Sequence, residues 1–211
     1  MVKVVTFTFN PFQENTYLLH DETKECIIFD PGCSNPAEKQ ELVSYIEKND
    51  LKPVRLINTH CHLDHIFGNG FIANKYGLSL EIHKGELPVL AHAPKSAARF
   101  GISVEPSPEP TNFIEEGDII KFGNAELKAI LTPGHSPASL SFYCEADKFI
   151  IAGDVLFHSS IGRTDLPGGD FNTLINSIKT KLLVLPDETK VYPGHMQATT
   201  IGFEKAHNPF L

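Results

Sequence analysis

The segment Thr59-His60-Cys61-His62-Leu63-Asp64-His65 places three imidazoles and a carboxylate within six residues. A single histidine reads as a satisfied core or surface residue. Four ligand-type side chains in one short segment read as a metal site. Neutral imidazole nitrogen and carboxylate oxygen suit a borderline or hard divalent cation. His60 and His62 alternate along the chain, so their side chains leave on the same side. Asp64 and His65 continue round a turn and reach a different point.

Three further positions share a local pattern. Thr132-Pro133-Gly134-His135, Ala152-Gly153-Asp154 and Tyr192-Pro193-Gly194-His195 each follow an expected strand and contain a glycine. Glycine permits the tight turn that presents a side chain at a strand's end. Each alone reads equally well as an ordinary turn; beside the histidine cluster, a shared site is the better reading. Five histidines and two aspartates exceed the four ligands of a structural zinc. Two divalent metal ions with open positions are implied, with one carboxylate bridging them. Zinc is the expected metal, and iron or manganese fit the same donors.

The motif His60-x-His62-x-Asp64-His65, followed by His135, Asp154 and His195, resembles the metallo-β-lactamase-fold hydrolases. It is most similar to their glyoxalase II, or hydroxyacylglutathione hydrolase, branch. The resemblance runs from Asn15-Thr-Tyr-Leu18 and Asp30-Pro-Gly32 to His195. It implies a four-layer αβ/βα sandwich, an α/β fold with metals at the sheet edge. It also implies that His60, His62 and His135 hold one metal, Asp64, His65 and His195 the other, and that Asp154 bridges.

The chemistry follows from such a site. Two cations lower the pKa of a bound water to about 7, making metal-bound hydroxide the expected nucleophile. A cation also faces the oxyanion of the tetrahedral intermediate. A thioester suits this arrangement, because a thiol of pKa ~8.5 departs as thiolate without help. An amide needs a general acid, and the sequence offers no obvious unliganded one. Asp64 is a candidate to orient the hydroxide through its free oxygen.

Gly162-Arg163-Thr164-Asp165 is similar to a motif of short glyoxalase II-like proteins and of persulfide dioxygenases. Arg163 could clamp a substrate carboxylate or pair with Asp165 to brace its loop. Asp30 is expected behind the ligands, orienting a histidine or a loop amide, with a plain turn as the alternative. His158 is expected to belong to its loop or to stand behind the ligands rather than to join the ligand set. Long glyoxalase II proteins carry a C-terminal helical domain with basic residues for glutathione. Here 16 residues follow His195, and Lys205 is the one cation among them. A glutathione site of that kind is missing or built differently.

Two other functions compete with hydrolysis. His60, His135 and Asp154 alone would form a two-histidine, one-carboxylate triad for mononuclear non-haem iron, as in a persulfide dioxygenase. The intact second set favours hydrolysis. A metal-stabilised interaction module without enzymatic activity is disfavoured by the complete set of seven. β-Lactamase activity fits neither the branch nor the expected compartment.

The elements that must position these residues are strands and helices in two similar halves. Strands are expected at 2–9, 16–19, 26–29, 54–57 and 79–82 from alternation and short apolar runs. Helices are expected from Pro36, with Leu42, Val43 and Ile46 buried, and from Gly68 to a stop at Gly77. Residues 84–110 are polar, proline-rich and partly helical. They read as a solvated insertion, although His92, Lys95 and Arg99 could cover the cleft. An antiparallel run is expected over 119–122, 125–131, 140–143 and 149–152. Asp170 caps a helix whose buried face is Phe171, Leu174, Ile175, Ile178 and Leu182. A last strand spans 190–192.

The 211 residues suit one catalytic domain, at roughly 150 residues per domain. The net charge of −8 argues against a nucleic-acid partner, which needs a basic footprint. No apolar run approaches the ~20 residues of a membrane span. The four cysteines form no C-x-x-C pair, and no export signal is evident, so the cytoplasm is the expected compartment. The expected partner is a small-molecule thioester or thiol-derived substrate; the oligomeric state stays open.

Overall fold

The computed structural model describes residues 1–102 and 104–211. The chain begins with strands β1 (Lys3–Phe9), β2 (Glu14–His20) and β3 (Glu25–Phe29), paired antiparallel in sequence order. Helix α1 (Pro36–Lys48) follows, with proline in its first turn and Asn35 accepting from the amides of Ala37 and Glu38. It buries Leu42, Val43 and Ile46. Such crossover helices let β4 (Lys52–Ile57) and β5 (Leu80–Ile82) join the sheet in parallel. Between them lies α2 (Asn69–Tyr76), ended by left-handed Gly77. Helix α3 (Leu87–Arg99) leads to the short edge strand β6 (Asn112–Phe113).

The second half forms its own sheet. Strands β7 (Ile119–Phe122), β8 (Ala125–Leu131), β9 (Leu140–Cys144) and β10 (Phe149–Gly153) run antiparallel. A two-strand ribbon, β11 (Leu156–Phe157) with β12 (Ser160–Ile161), precedes α4 (Phe171–Ser177). Helix α4 widens into a π-helical turn at Ile178–Leu182. Strand β13 (Lys190–Pro193) pairs parallel with β10, and β14 (Thr199–Thr200) leads into α5 (Ile201–His207).

Three apolar clusters stack these parts into four layers. The first packs β1–β5 against α1, α2 and α3 through Leu18, Ile28, Leu42, Ile46, Leu56 and Ile72. The second joins the two sheets through Tyr17, Ile27, Phe29, Leu127, Phe142 and Ile151. The third packs the second sheet against α4 and α5 through Ile150, Val191, Leu174, Ile178 and Ile201. Each fully buried side chain of this kind contributes roughly 1.5–3 kcal/mol. The order is the expected αβ/βα sandwich. Among the described residues, no helix is long and apolar enough to cross a membrane.

The strands and first helices lie within a residue or two of their expected positions. Phe171 is a correction: it is 48% exposed, because the first residue after the Asp170 cap projects away from the sheet. Strands β6, β11, β12 and β14 and helix α5 were not expected. All are seven residues or shorter, and elements that short carry little periodicity.

Candidate metal centre

Both sheets deliver their site residues at one edge. Strand β4 ends at Ile57, and the next residues are tied down before the first histidine. The Thr59 amide donates to Asp30 Oδ1 at 2.7 Å. The Asn58 side chain donates to the His65 carbonyl at 3.0 Å, closing the loop on itself. A single 3₁₀ turn, Leu63–His65, then swings Asp64 and His65 away from His60 and His62. The Asn10 side chain holds the Asp64 carbonyl at 3.0 Å. From the second half, His135 follows β8, Asp154 follows β10 and His195 follows β13. At Gly194, a Cβ would lie 2.1 Å from Asp154 Oδ1 and 2.8 Å from His65 Cε1. Only glycine lets that loop pass so close to both residues.

The seven residues expected from sequence converge here. The donor atoms of His60, His62 and His135 all lie within 4.8 Å of one another, and so do those of Asp64, His65 and His195. His62 Nδ1 is 2.8 Å from His135 Nε2. Asp64 Oδ2 is 3.1 Å from His195 Nε2 and 3.7 Å from His65 Nε2. Asp154 stands between the two groups. Its Oδ2 is 3.4 Å from His135 Nε2 and 3.5 Å from His195 Nε2. Its Oδ1 is 3.5 Å from His65 Nε2.

The outer nitrogens of three imidazoles are already engaged. His65 Nδ1 lies 3.1 Å from Asp30 Oδ2, and His135 Nδ1 donates to the Arg163 carbonyl at 2.7 Å. His195 Nδ1 donates to the Phe12 carbonyl at 3.1 Å. Each such bond fixes the tautomer and turns an Nε2 lone pair toward the cluster. His60 Nε2, His65 Nε2 and Asp154 Oδ1 are buried without a hydrogen-bond partner. An unsatisfied buried polar atom costs about 1–3 kcal/mol. One such atom in each histidine group, and one on the aspartate between them, fit cations at both sites, as does the nitrogen and oxygen donor set.

The electrostatics agree with that fit. Burial pushes the His60 imidazolium pKa well below its usual value and that of His62 to about 3, aided by neighbouring histidines. Burial opposes ionisation of Asp154, but His65, His135 and His195 overcome it and hold its carboxyl well below the usual range. Asp64 is likewise lowered against its burial by His65 and His195. Ligands must be neutral imidazole and ionised carboxylate, and His60, His62, Asp64 and Asp154 are kept in those forms. Against the effect of burial, the same carboxylates raise the pKa of His65 well above its usual value and that of His195 upward, so these two hold protons that a bound cation would displace.

Other expected residues fall in different places. Asp30 is buried behind His65 and also takes the Thr59 amide, which is more than a turn requires. Its carboxylate shares a third possible metal-holding group with His60 and His65. Arg163 pairs with Asp165 through two hydrogen bonds, of 2.7 and 2.8 Å, and both side chains are exposed. His158 stacks on Phe203 at 4.7 Å, outside the cluster. Lys95 and Arg99 are exposed on α3, and His92 is half-buried there.

Three carboxylates escaped the sequence reading. Glu14 is fully buried, with Oε1 3.9 Å from His65 Nδ1, and burial raises its carboxyl pKa well above the usual range. Glu86 and Glu204 are also fully buried, each accepting several hydrogen bonds. Glu14 opens a strand in which six of seven residues are buried, which only the structure reveals. Glu86 and Glu204 lie in helical turns, and their sequence carries no sign of burial either.

Comparison with known proteins matches residues 9–195 to the family model of the metallo-beta-lactamase superfamily. A Bacillus subtilis protein named "Probable metallo-hydrolase YqgX" is 38% identical over 95% of this chain and 93% of its own length. The "Hydroxyacylglutathione hydrolase GloC" of Haemophilus influenzae is also 38% identical, with the same coverage of each chain. Among solved structures, BLEG-1 B3 metallo-beta-lactamase superposes with a TM-score of 0.90 at 35% identity, covering 100% of this chain and 99% of that one. TTHA1623 in a di-iron-bound form gives 0.89 at 36% identity, covering 99% and 100%.

Proposed function

The chain belongs to the metallo-beta-lactamase superfamily, and from that premise we propose that it is a two-metal hydrolase of small-molecule thioesters, of the hydroxyacylglutathione hydrolase type. The observation that carries the reading is Asp154, which stands within 3.5 Å of histidines from both donor groups. His60, His62 and His135 would hold one ion, and Asp64, His65 and His195 the other, with Asp154 between them. The pair, zinc by preference, would lower the pKa of bound water toward about 7 and neutralise charge developing on an attacked carbonyl oxygen.

The chain's own residues do the rest. Asp30, the Arg163 carbonyl and the Phe12 carbonyl hold three imidazoles in the donating tautomer. Asp64 has two oxygens; Oδ2 faces His195, which leaves Oδ1 to orient the attacking oxygen. The acids around the ligands are committed: Asp165 pairs with Arg163, Glu86 accepts from the Cys61 and Ala138 amides, and Glu14 is sealed behind His65 with its Oε2 taking the Thr16 hydroxyl. A leaving group that departs without a proton is therefore favoured, and a thiolate does so at neutral pH. The Haemophilus relative's name supports the same class. Residues 1–211 would act as one catalytic domain. All four cysteines are free, which suits the reducing cytoplasm.

The test pairs metal analysis with three assays on the loaded protein. These are S-D-lactoylglutathione hydrolysis, oxygen uptake with glutathione persulfide, and β-lactam hydrolysis. About two metal ions per chain with thioester cleavage is the expected result. One iron with oxygen uptake would replace the reading with a dioxygenase. Thioester cleavage that survives rigorous chelation would overturn it.

A further inference from the structure

Residues 84–110 look like a solvated insertion in the sequence, but their first turn is not solvated. Glu86 is 1% exposed and ends a single 3₁₀ turn, Lys84–Glu86, directly before α3. Its Oε2 accepts from the Cys61 amide at 3.0 Å, the peptide between His60 and His62. Its Oε1 accepts from the Ala138 amide at 2.8 Å and the Ser136 hydroxyl at 2.5 Å, beside His135. One carboxylate thus ties together the two loops that carry His60, His62 and His135.

The surroundings are built for this contact. A Cβ at Gly85 would lie 2.6 Å from Ala138 Cβ, so only glycine lets the turn sit flush on the His135 loop. His83 Nδ1 accepts the Gly85 amide at 3.0 Å and caps the turn. Three N–H or O–H groups aim at two oxygens. An ionised carboxylate is acceptor-only and satisfies all three, whereas an amide would turn its NH₂ against one of them.

We propose that Glu86 is a positioning residue for the His60, His62 and His135 metal site, setting the spacing of its two loops and placing negative charge behind them. The inference rests on reading those three histidines as ligands of one ion. Asp30 does comparable work on the other side, where it meets His65. None of the hydrogen bonds to Glu86 involves Asp64, His65 or His195. Its effect is therefore selective for one of the two ions.

Zn²⁺ titration of the chelator-stripped full chain, in competition with a chromophoric chelator, tests this. Wild type is expected to take two equivalents. His195→Ala is expected to keep one, held by His60, His62 and His135. Glu86→Gln in that background should weaken the remaining equivalent about 10–100-fold. With His195 intact, Glu86→Gln should change the other equivalent by less than about 3-fold. The Co²⁺ absorption spectrum of the retained site should also shift, which a simple loss of stability would not produce. A folded Glu86→Gln that binds Zn²⁺ as wild type does overturns the role of Glu86 alone. Wild type that takes no Zn²⁺ overturns the metal reading and this inference together. If Glu86→Gln does not fold, Ser136→Ala decides. A loss of about 3-fold or more at the same site supports the clamp, and unchanged affinity overturns it.

Discussion

Asp30 Oδ2 lies 3.1 Å from His65 Nδ1, and both side chains are sealed from solvent. The carboxylate fixes which nitrogen of His65 carries the proton and so which faces the cluster. Asp30→Asn should weaken Zn²⁺ binding by the Asp64, His65 and His195 group at least 10-fold, read by chelator competition. Unchanged affinity would reduce Asp30 to a loop brace through the Thr59 amide.

Gly194 is tested by its missing side chain. A methyl group there would overlap Asp154 Oδ1 and crowd His65. Gly194→Ala should therefore abolish tight binding of both ions and reduce kcat/KM more than 100-fold. Gly77→Ala is the control. It meets nothing within 4 Å and carries only the strain of φ +69, about 1–2 kcal/mol of stability. Normal metal content in Gly194→Ala would show that the loop can retreat.

Asp64 separates binding from turnover. An asparagine in its place preserves shape but removes charge and proton-accepting capacity. At full metal loading, Asp64→Asn should lower kcat about 10²-fold with KM little changed. Unchanged turnover at full loading would remove Asp64 from the orientation of the nucleophile.

Arg163 offers a pH-resolved test. Hydrogen bonding to Arg163 holds the Asp165 carboxyl at about 2. A carboxyl pKa lowered on folding stabilises the protein above its ordinary value of 3.8. That contribution is lost as pH falls through 2. Both partners are thus ionised at any assay pH from 5 to 9, and Asp165 already occupies the guanidinium that a substrate carboxylate would need. Arg163→Ala should change kcat/KM for S-D-lactoylglutathione by less than about 3-fold. A tenfold rise in KM would instead establish the clamp.

The four thiols should be silent. Burial pushes Cys26 and Cys33 up to about 12, Cys61 well above its ordinary value, and Cys144 upward. At pH 8 a thiol of pKa about 12 is ~10⁻⁴ thiolate, the reactive form. Reaction with Ellman's reagent should be slow for all four in the native protein and complete within minutes in guanidinium. One fast native thiol would contradict the burial of these cysteines.

Much of the site was legible because its residues are local. Four donors fall within six residues, and His135, Asp154 and His195 sit at glycine turns after strands. What the sequence hid was the support behind them. Glu14 and Glu86 are ordinary polar letters whose burial depends on which loops tertiary packing brings near. Helix α5 was hidden for a different reason. Its seven residues include Gly202, and it forms because Thr200 caps it and Ile201 is buried. The widening of the helix after α4 was also invisible, since the Leu183 amide reaches back to Ile178 only in three dimensions.

Glu14 and His195 form an isolated antiparallel bridge, and the Asn15 amide donates to the Gly194 carbonyl at 2.7 Å. The opening of β2, made among the earliest residues, is thereby stitched to the loop of the last histidine in the set. His60 to His65 come from the first sheet and His195 from the loop after β13 in the second. The donor set is complete only when these two distant stretches meet. A closed site therefore requires the two sheets to be docked on each other.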